Sequence, residues 1–297
     1  MSEVKIGEYF VGDWSDGKET RHPTYIVAEI GINHNGDIVT ALNMIEAAKY
    51  CGCDAVKFQK RTVDVVYSEA ELSKSRESPF GTTNGDLKRR LEFGFNEYAE
   101  IDALCKVLAI DWFASPWDSG SVGFLTQFNP PAIKLASACI TDKVLIDCVC
   151  QWGYPVIMST GMSTIHEIDS AVYQLREHGI PLVLLHTISA YPVCDGDLNL
   201  RTIAKLRDRY NVPVGYSGHE VGIAPTLAAV AMGACVVERH FTLDRSMWGT
   251  DQSASVEPQG MKKIVDYIRS IEASMGVARR EIFACERPAH EKLRRFK

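Results

Sequence analysis

Two histidines that end neighbouring apolar runs are the residues of this sequence best suited to chemistry. His219 ends the run 215–219, His240 ends the run 236–240, and the residues between the two runs can form one helix. This spacing predicts that the two imidazoles lie at the ends of adjacent strands. Two imidazoles backed by carboxylates are suitable ligands for a divalent transition metal. The alternative is a pair of core histidines satisfied by hydrogen bonds.

Two lysines lie inside apolar runs, where an unpaired cation is costly. Lys57 belongs to the run 54–59 and Lys134 to the run 132–136. We expect each to bind an anion, and the alternative is a structural salt bridge inside the fold. The turn 159–161, Ser-Thr-Gly, could hold a phosphate through its backbone N–H groups or could be an ordinary turn with a helix cap.

Further polar residues follow the other apolar runs and are candidates for the same site. Glu29 ends the first run, and we expect it to act in catalysis or to orient a substrate, unless it is the structural partner of a lysine. Asn33, in the loop that follows, could reach a substrate. Asp251 could be an additional metal ligand or could support the histidines, and the same holds for His186, one run before His219.

Eight short apolar runs, many of them rich in β-branched residues, would position these side chains. They cover residues 25–30, 54–59, 111–115, 132–136, 155–159, 182–187, 212–217 and 234–240. Helical periodicity is found at residues 38–50, 96–107, 119–128, 143–152, 164–178, 198–209, 223–232 and 258–275. Apolar runs that alternate with helices indicate parallel βα units, and eight such units predict an α/β fold, the (β/α)8 TIM barrel. The active site of such a barrel lies where its strands end.

The predicted barrel is one domain, residues 24–275, with a short N-terminal extension and a charged C-terminal tail. In the extension, residues 1–23, we expect 4–12 to form a short hairpin or a plug for the barrel, followed by a polar turn at 13–18. The tail, residues 276–297, is predicted to be a final helix or a linker. One long insertion, residues 61–91, follows the second strand, and loops of that length are usually functional lids or disordered.

The composition excludes several classes of function. The 297 residues are 46% hydrophobic and 24% charged, as in soluble globular proteins, and the net charge of −6 argues against general nucleic-acid binding. Since no apolar run could span a bilayer and the N-terminus has no apolar signal core, we expect a cytoplasmic protein without a membrane partner. The nine cysteines are spread along the chain and are predicted to be buried, reduced thiols.

Stretches along the whole predicted barrel resemble the sialic acid synthase family, whose members condense phosphoenolpyruvate with an amino-sugar aldehyde. The resemblance covers residues 24–275. The matching stretches are IVAEIGINHNGD (26–37), AVKFQKR (55–61), FASPWD (113–118), IKLAS (133–137), VIMSTGMST (156–164), LLHTISAYP (184–192), GYSGHEVG (215–222) and VERHFTLDRSMWGTDQSASVEP (237–258).

The resemblance implies roles for individual residues. Manganese or magnesium would be bound by His219 and His240, and the sugar aldehyde would meet Glu29, Tyr191 and Asp251. Gln59 and Asn33 are further candidates on the sugar side, and the catalytic candidates are Glu29, His219, His240 and Asp251. The phosphoenolpyruvate site would be lined by Lys57, Ser115, Lys134, Ser137, Ser159, Ser189 and Ser217. Many members of the family carry Thr in place of Ser115 and Asn in place of Ser189.

Members of the family usually carry a C-terminal antifreeze-like module, which supplies an arginine to the sugar site of the partner subunit. The resemblance therefore implies a homodimer. This sequence stops at Lys297, where the linker to such a module would begin. We expect either a naturally short lineage or an antifreeze-like module supplied by a separate chain.

The predicted function is metal-dependent synthesis of a nonulosonic acid or a related 3-deoxy-2-keto sugar acid from phosphoenolpyruvate. One alternative is condensation with a sugar phosphate, and another is a barrel that binds an anionic sugar without catalysis. A Schiff-base aldolase with Lys57 or Lys134 as the nucleophile is also conceivable. That chemistry needs a neutral lysine and does not explain the paired histidines.

Overall fold

A parallel eight-stranded sheet forms the centre of the computed structural model, which describes residues 3–12, 22–276 and 280–296. In chain order the strands are β1 (Val4–Ile6), β2 (Tyr9–Val11), β3 (Tyr25–Gly31), β4 (Ala55–Lys60), β5 (Ser75–Ser78), β6 (Gly81–Thr83), β7 (Asp111–Pro116), β8 (Ile133–Leu135), β9 (Val156–Ser159), β10 (Leu182–Thr187), β11 (Val214–Gly218) and β12 (Val236–His240). The sheet has the order β7-β4-β3-β12-β11-β10-β9-β8, and contacts between β7 and β8 nearly close it into a barrel.

Helices cover the outside of the sheet. In chain order they are α1 (Ile38–Cys51), α2 (Val63–Val66), α3 (Glu69–Leu72), α4 (Asn84–Leu91), α5 (Phe95–Leu108), α6 (Ser119–Thr126), α7 (Lys143–Cys150), α8 (Ile165–Glu177), α9 (Thr202–Tyr210), α10 (Ala224–Ala231), α11 (Pro258–Met275) and α12 (Arg287–Leu293). The helices of the barrel are α1 and α5 to α11, so the predicted (β/α)8 fold is confirmed.

The barrel strands are buried on both faces. Every residue of β3, β8, β9, β10 and β11 is buried, because one face of each strand fills the barrel and the other packs against helices. Strands in that position read as continuous apolar runs instead of alternating ones. This is why the sequence pattern located them.

The register of the strands decides which side chains meet at the rim. His240 on β12 lies opposite Glu29 on β3, and Glu29 lies opposite Lys57 on β4. On the other side of β12, Glu238 lies opposite Ser217 of β11. Since parallel strands all end at the same face, the register brings these polar side chains together at the C-terminal rim.

The N-terminal extension forms the predicted hairpin. β1 and β2 pair in antiparallel fashion, and Ile6 and Val11 are fully buried. The ring of Tyr9 packs edge-on against Tyr25 at the start of β3, with 5.2 Å between the ring centroids. The hairpin therefore plugs the N-terminal end of the barrel, opposite the rim. The predicted turn at 13–18 lies outside the described residues.

The insertion after β4 is ordered, so of the two alternatives the disordered one is wrong. It consists of α2, α3, the antiparallel pair β5 and β6, and α4. Near its tip, the ring of Phe80 packs edge-on against Trp248 in the loop after β12, with 5.6 Å between the ring centroids. The insertion thus forms a wall beside the rim.

The remaining predictions concern the tail, the cysteines and the membrane. Within the described part of the tail, residues 280–296, α12 buries none of its side chains, and the predicted domain boundaries stay predictions. None of the nine cysteines, all of which the structure describes, is in a disulfide bond, as predicted, but Cys194 and Cys285 are exposed and Cys148 is partly exposed. Among the helices in the described residues, none has the length and apolar character needed to cross a membrane.

Candidate active site

A cavity of about 360 Å³ opens at the C-terminal rim of the barrel. Small-molecule sites have volumes of roughly 300–1,000 Å³. The cavity is lined by all but two of the candidate site residues: Glu29, Lys57, Gln59, Ser115, Lys134, Ser137, Ser159, Ser189, Tyr191, Ser217, His219, His240 and Asp251. The individual roles of these residues stay predictions. The lining also includes residues to which the sequence analysis assigns no role, among them Arg61, Trp117, Thr187 and Glu238.

One side of the cavity, which we call the anion side, consists of Lys134 and the hydroxyl groups of Ser137, Ser159 and Ser189. The buried Lys134 ammonium donates hydrogen bonds to Ser159 Oγ at 2.6 Å and to the carbonyl oxygen of Leu135 at 3.1 Å. Burial lowers the pKa of Lys134 to about 8. Since both hydrogen-bond partners are neutral, this side offers a positive charge and hydroxyl donors to an anionic ligand.

Gly161, in the turn after β9, brings the backbone close to the anion side. Its N–H donates to Ser137 Oγ at 3.1 Å, and a Cβ at this position would collide with the hydroxyl groups of Ser137 and Ser189. The N–H of Thr160 donates to the carbonyl oxygen of Leu185 at 3.0 Å. Because both N–H groups have partners, the structure favours the ordinary turn over the phosphate cradle at residues 159–161.

The opposite side, which we call the histidine side, contains Lys57, Glu29, Glu238 and the two histidines. Lys57 Nζ lies 2.9 Å from Glu29 Oε2 and 3.4 Å from Glu238 Oε2. Lys57 therefore forms the salt bridge that was the alternative to anion binding, although it also lines the cavity.

Burial and charge act differently on the three ionisable groups of this salt bridge. Burial would lower the pKa of Lys57, but the two carboxylates outweigh it and raise that pKa. Burial raises the pKa of Glu29 above its usual value in spite of the adjacent ammonium group. For Glu238, burial is outweighed by Lys134 and Lys57, which hold the pKa below its usual value. Of the two carboxyl groups, Glu29 is thus the one that takes up a proton more readily.

His219 and His240 lie side by side, with 5.4 Å between their ring centroids. His219 Nδ1 lies 2.8 Å from the carbonyl oxygen of Ile188, so Nδ1 carries the hydrogen and Nε2 keeps its lone pair. His240 Nδ1 is buried without a hydrogen-bond partner among the described residues. Burial lowers the pKa of both imidazoles, that of His219 to about 4, so both are neutral at pH 7.

These features fit a divalent metal ion. A neutral imidazole with a free lone pair is the form that binds metals, and a carbonyl acceptor on the other ring nitrogen is the usual way to orient it. Among the described residues, no cluster of three or more His, Cys, Asp or Glu side chains could hold a metal. The two histidines would therefore leave several coordination positions open to water and substrate oxygens, as catalytic metal sites require.

Tyr191, Gln59 and Asp251 border the mouth of the cavity. The Tyr191 ring lies 4.0 Å from the His219 ring, centroid to centroid, and its side chain is 55% exposed. Gln59 Nε2 donates to Glu29 Oε1 at 3.1 Å, and the other amide atom, Oε1, accepts a hydrogen bond from Arg61. A substrate that reaches Glu29 from solvent would pass these side chains.

Two candidate residues lie outside the rim cavity. Asn33 lines a neighbouring cavity instead, and its amide nitrogen donates to the Phe241 carbonyl oxygen at 2.9 Å and to Ser255 Oγ at 2.8 Å. It holds the loop after β3 against the loop after β12. His186 is buried and its Nε2 lies 2.7 Å from the Leu198 carbonyl oxygen, so it is not a third metal ligand. It precedes Thr187, which lines the cavity, and successive side chains of a strand point to opposite faces.

Sequence reasoning also missed a buried network behind the histidines. Arg239 is fully buried; its Nη1 lies 2.8 Å from Glu220 Oε1, and its Nη2 donates to the Glu220 carbonyl oxygen at 2.7 Å. Tyr216 donates to the other Glu220 carboxylate oxygen at 2.8 Å. The network fixes the segment that follows His219. Side chains alternate along β12, so Arg239 points outward while Glu238 and His240 point inward. This alternation is a signal that could have identified Glu238 as a residue of the cavity.

Comparison with known proteins gives consistent results. The model of the NeuB family matches residues 44–280. The N-acetylneuraminate-9-phosphate synthase of Mus musculus is 38% identical over 286 residues, which are 95% of this chain and 79% of that protein. The N,N'-diacetyllegionaminic acid synthase of Legionella pneumophila is 35% identical over 280 residues, which are 91% of this chain and 78% of that protein.

A solved structure extends the comparison to the fold. The sialic acid synthetase of Leptospira borgpetersenii, solved in complex with citrate, superimposes on this structure with a TM-score of 0.85 at 31% sequence identity. The superposition covers 99% of this chain and 98% of the synthetase chain. The family model and these relatives extend over most of the chain. On this evidence, the chain belongs to the NeuB family.

Proposed function

We propose that this protein condenses phosphoenolpyruvate with an N-acylamino sugar aldehyde and water to give a nonulosonic acid and inorganic phosphate. The observation that carries the proposal is the pairing, in one cavity, of a buried lysine without a carboxylate partner and two neutral histidines beside Glu29. The relatives are an N-acetylneuraminate-9-phosphate synthase, an N,N'-diacetyllegionaminic acid synthase and a sialic acid synthetase, and their names support the same reaction class.

The anion side would bind phosphoenolpyruvate. The Lys134 ammonium supplies a positive charge, and Ser137, Ser159 and Ser189 supply hydroxyl groups that can donate to phosphate or carboxylate oxygens. Charge-assisted hydrogen bonds of this kind are among the strongest in proteins. Ser115 and Ser217, which line the cavity near Lys57 and Glu238, extend the same surface.

The histidine side would act on the aldehyde. Manganese or magnesium, held by His219 and His240, would polarise the aldehyde carbonyl as a Lewis acid. Tyr191 and Gln59 would position the sugar at the mouth, together with Asp251. The network of Arg239 and Glu220 keeps His219 in place without touching the substrate.

The bond changes balance as follows. The methylene carbon of phosphoenolpyruvate attacks the aldehyde carbon, a carbon–carbon bond forms, and the aldehyde oxygen takes up one proton to become a hydroxyl group. Water adds to the neighbouring cationic carbon and loses one proton. The bond from that carbon to the phosphate oxygen then breaks while the new hydroxyl group gives its proton to the departing phosphate, which leaves the 2-keto acid and inorganic phosphate. Glu29, whose pKa is raised by burial, would take the proton from water.

Phosphate release from phosphoenolpyruvate tests the proposal. The protein with manganese would be assayed with N-acetylmannosamine, N-acetylmannosamine 6-phosphate, a 2,4-diacetamido hexose, mannose and arabinose 5-phosphate. We expect release that requires manganese and one of the amino sugars, and none after chelation with EDTA. Ligand binding by folded, manganese-loaded protein with no phosphate release from any acceptor would contradict the proposal and support a barrel that only binds.

A further inference from the structure

We propose that a second cavity beside the rim is a subsite for a phosphate monoester on the far end of the sugar acceptor. This inference rests on the proposed function and narrows its acceptor to a phosphorylated amino sugar. The cavity lies between the insertion and the loops after β3 and β12. It is lined by Ile32, Asn33, Asn35, Arg61, Arg76, Leu87, Lys88, Leu91, Glu92, Trp248, Gly249 and Thr250.

The second cavity adjoins the rim cavity. Ile32 and Arg61 line both, so a ligand that occupies one can extend into the other. The shared wall adjoins the histidine side, because Arg61 is hydrogen-bonded to Gln59, which in turn donates to Glu29. An acceptor with its aldehyde beside the histidines can therefore extend its other end into this cavity.

Among the described residues, three cations and one carboxylate line the second cavity. The carboxylate, Glu92, is already paired, with its Oε1 2.8 Å from Arg61 Nε and its Oε2 3.7 Å from Lys60 Nζ. Arg76 and Lys88 form no salt bridge with any residue that the structure describes. Among the described residues, Arg76 makes one weak hydrogen bond, from its Nη1 to Asn84 Oδ1 at 3.4 Å. The cavity thus has a surplus of positive charge.

Two of the three cations, Lys88 and Arg61, are held in place by the aromatic side chain of Tyr67. Lys88 Nζ lies 3.9 Å from the centre of the Tyr67 ring, and the Tyr67 hydroxyl accepts a hydrogen bond from Arg61 at 2.9 Å. Tyr67 therefore fixes Lys88 and Arg61 relative to each other. On the opposite wall, Asn35 Nδ2 donates to the Trp248 carbonyl oxygen at 2.7 Å, which holds that loop against the cavity.

A phosphate monoester fits this arrangement better than a neutral hydroxymethyl group. It carries roughly −1.5 to −2 charges near pH 7 and presents three acceptor oxygens. An arginine fork and a lysine ammonium group are the side chains that bind such groups. A neutral hydroxyl group would leave the surplus charge of Arg76 and Lys88 unused.

The test compares N-acetylmannosamine 6-phosphate with N-acetylmannosamine, using manganese-loaded protein. Binding is measured by calorimetry, and KM by phosphate release. We expect the phosphorylated sugar to bind at least tenfold more tightly, and Arg76→Gln and Lys88→Gln each to weaken that binding roughly tenfold. Neither variant should change the KM for N-acetylmannosamine more than twofold. Arg89→Gln is the matched control, because Arg89 follows Lys88 on α4 but pairs with Asp64 outside the cavity.

The outcomes separate the subsite from the reaction. Turnover of N-acetylmannosamine with no preference for its phosphate, or equal losses with both sugars in the two variants, would overturn the subsite and leave the proposed function standing. Binding of inorganic phosphate alone that is as tight as that of the phosphorylated sugar would also overturn it, since the site would then be a free anion site. Phosphate release with neither sugar would count against the proposed function, while calorimetry would still decide whether the cavity binds the sugar phosphate.

Discussion

The two sides of the rim cavity surround a buried lysine in opposite ways. On the histidine side, Lys57 lies between two carboxylates, at 2.9 Å from Glu29 and 3.4 Å from Glu238. On the anion side, Lys134 has a serine hydroxyl group and a backbone carbonyl as partners. Burying a cation without a salt-bridge partner costs free energy. Lys134 also acts on Glu238, but beyond salt-bridge distance, so its ammonium group is available for a ligand. Lys57 instead balances charges that the protein itself supplies.

The contrast teaches that the neighbouring strands decide the role of a buried charge. Both lysines lie in apolar runs that look alike in sequence. β3 and β12 place Glu29 and Glu238 beside Lys57, while β9 places Ser159 beside Lys134. We expect the substitutions and conditions below to separate the two sides.

The largest effect should come from the histidine side. We expect His240→Ala to lower turnover by a factor of about 1,000 or more, because removal of a group that acts on the reacting carbonyl costs several kcal/mol of transition-state stabilisation. The measurement is phosphate release with saturating manganese, with circular dichroism to check folding. His166→Ala, on the exposed surface of α8, is the control and should retain turnover. Normal turnover in the His240 variant would show that the metal site proposed at the two histidines is not needed for the reaction.

The second effect concerns stability and contrasts the two lysines. Lys57→Met leaves two carboxylates buried without their cation, so we expect the free energy of unfolding to fall by about 3–5 kcal/mol. Lys134→Met removes a cation that forms no salt bridge with any described residue but helps to keep Glu238 ionised, so we expect a smaller loss. Urea denaturation of both variants at pH 7 measures the difference. Equal losses in the two variants would mean that the two sides do not differ in this way.

The third effect is on phosphoenolpyruvate binding. Lys134→Met should raise the KM for phosphoenolpyruvate by roughly 30- to 100-fold, because the ligand loses a buried charge-assisted hydrogen bond. The KM for the sugar should change much less. Initial rates with each substrate varied in turn make the measurement. A larger effect on the sugar KM would place the anion site elsewhere.

The smallest effect is the dependence of binding on pH. The pKa of Lys134 is lowered from 10.5 to about 8 by burial, so in the free protein the ammonium group loses its proton as pH rises through about 8. Affinity for phosphoenolpyruvate should therefore decline above pH 8, and the Lys134→Met variant should lack that decline. Stability has the opposite dependence: the unfolded chain binds more protons than the folded one between about pH 8 and 10.5, so this lysine makes the fold more stable as pH rises. Calorimetric titrations from pH 6.5 to 9.5 test the binding.

The fold was accessible from the sequence because barrel strands are buried on both faces. The run 182–187 is mostly apolar, and the run 236–240 combines apolar residues with charged residues and a histidine. The predicted β10 and the end of β12 agree with the structure. The rim residues followed from the rule that parallel strands end at one face. Neither inference needed any knowledge of distances.

The parts that failed depend on neighbours that are distant in sequence. Asn33 is hydrogen-bonded to Phe241 and Ser255, which lie more than 200 residues away in the sequence. No local sequence pattern predicts such contacts. The Arg239–Glu220 pair likewise joins two different strand ends. The sequence marks the insertion as polar, but only the folded chain brings Arg76 and Lys88 to a cavity beside the rim.

The most direct test of the central claim follows the oxygen atom that bridges carbon and phosphorus in phosphoenolpyruvate. Substrate labelled with oxygen-18 at that position would be incubated with the protein, manganese and the accepted sugar, and the phosphate released would be examined by phosphorus NMR. The proposed reaction breaks the carbon–oxygen bond, so the label should leave with inorganic phosphate, and a nonulosonic acid should form in equal amount. Unlabelled phosphate, without a condensed sugar acid, would mean that the phosphorus–oxygen bond is cleaved and would contradict the proposed condensation.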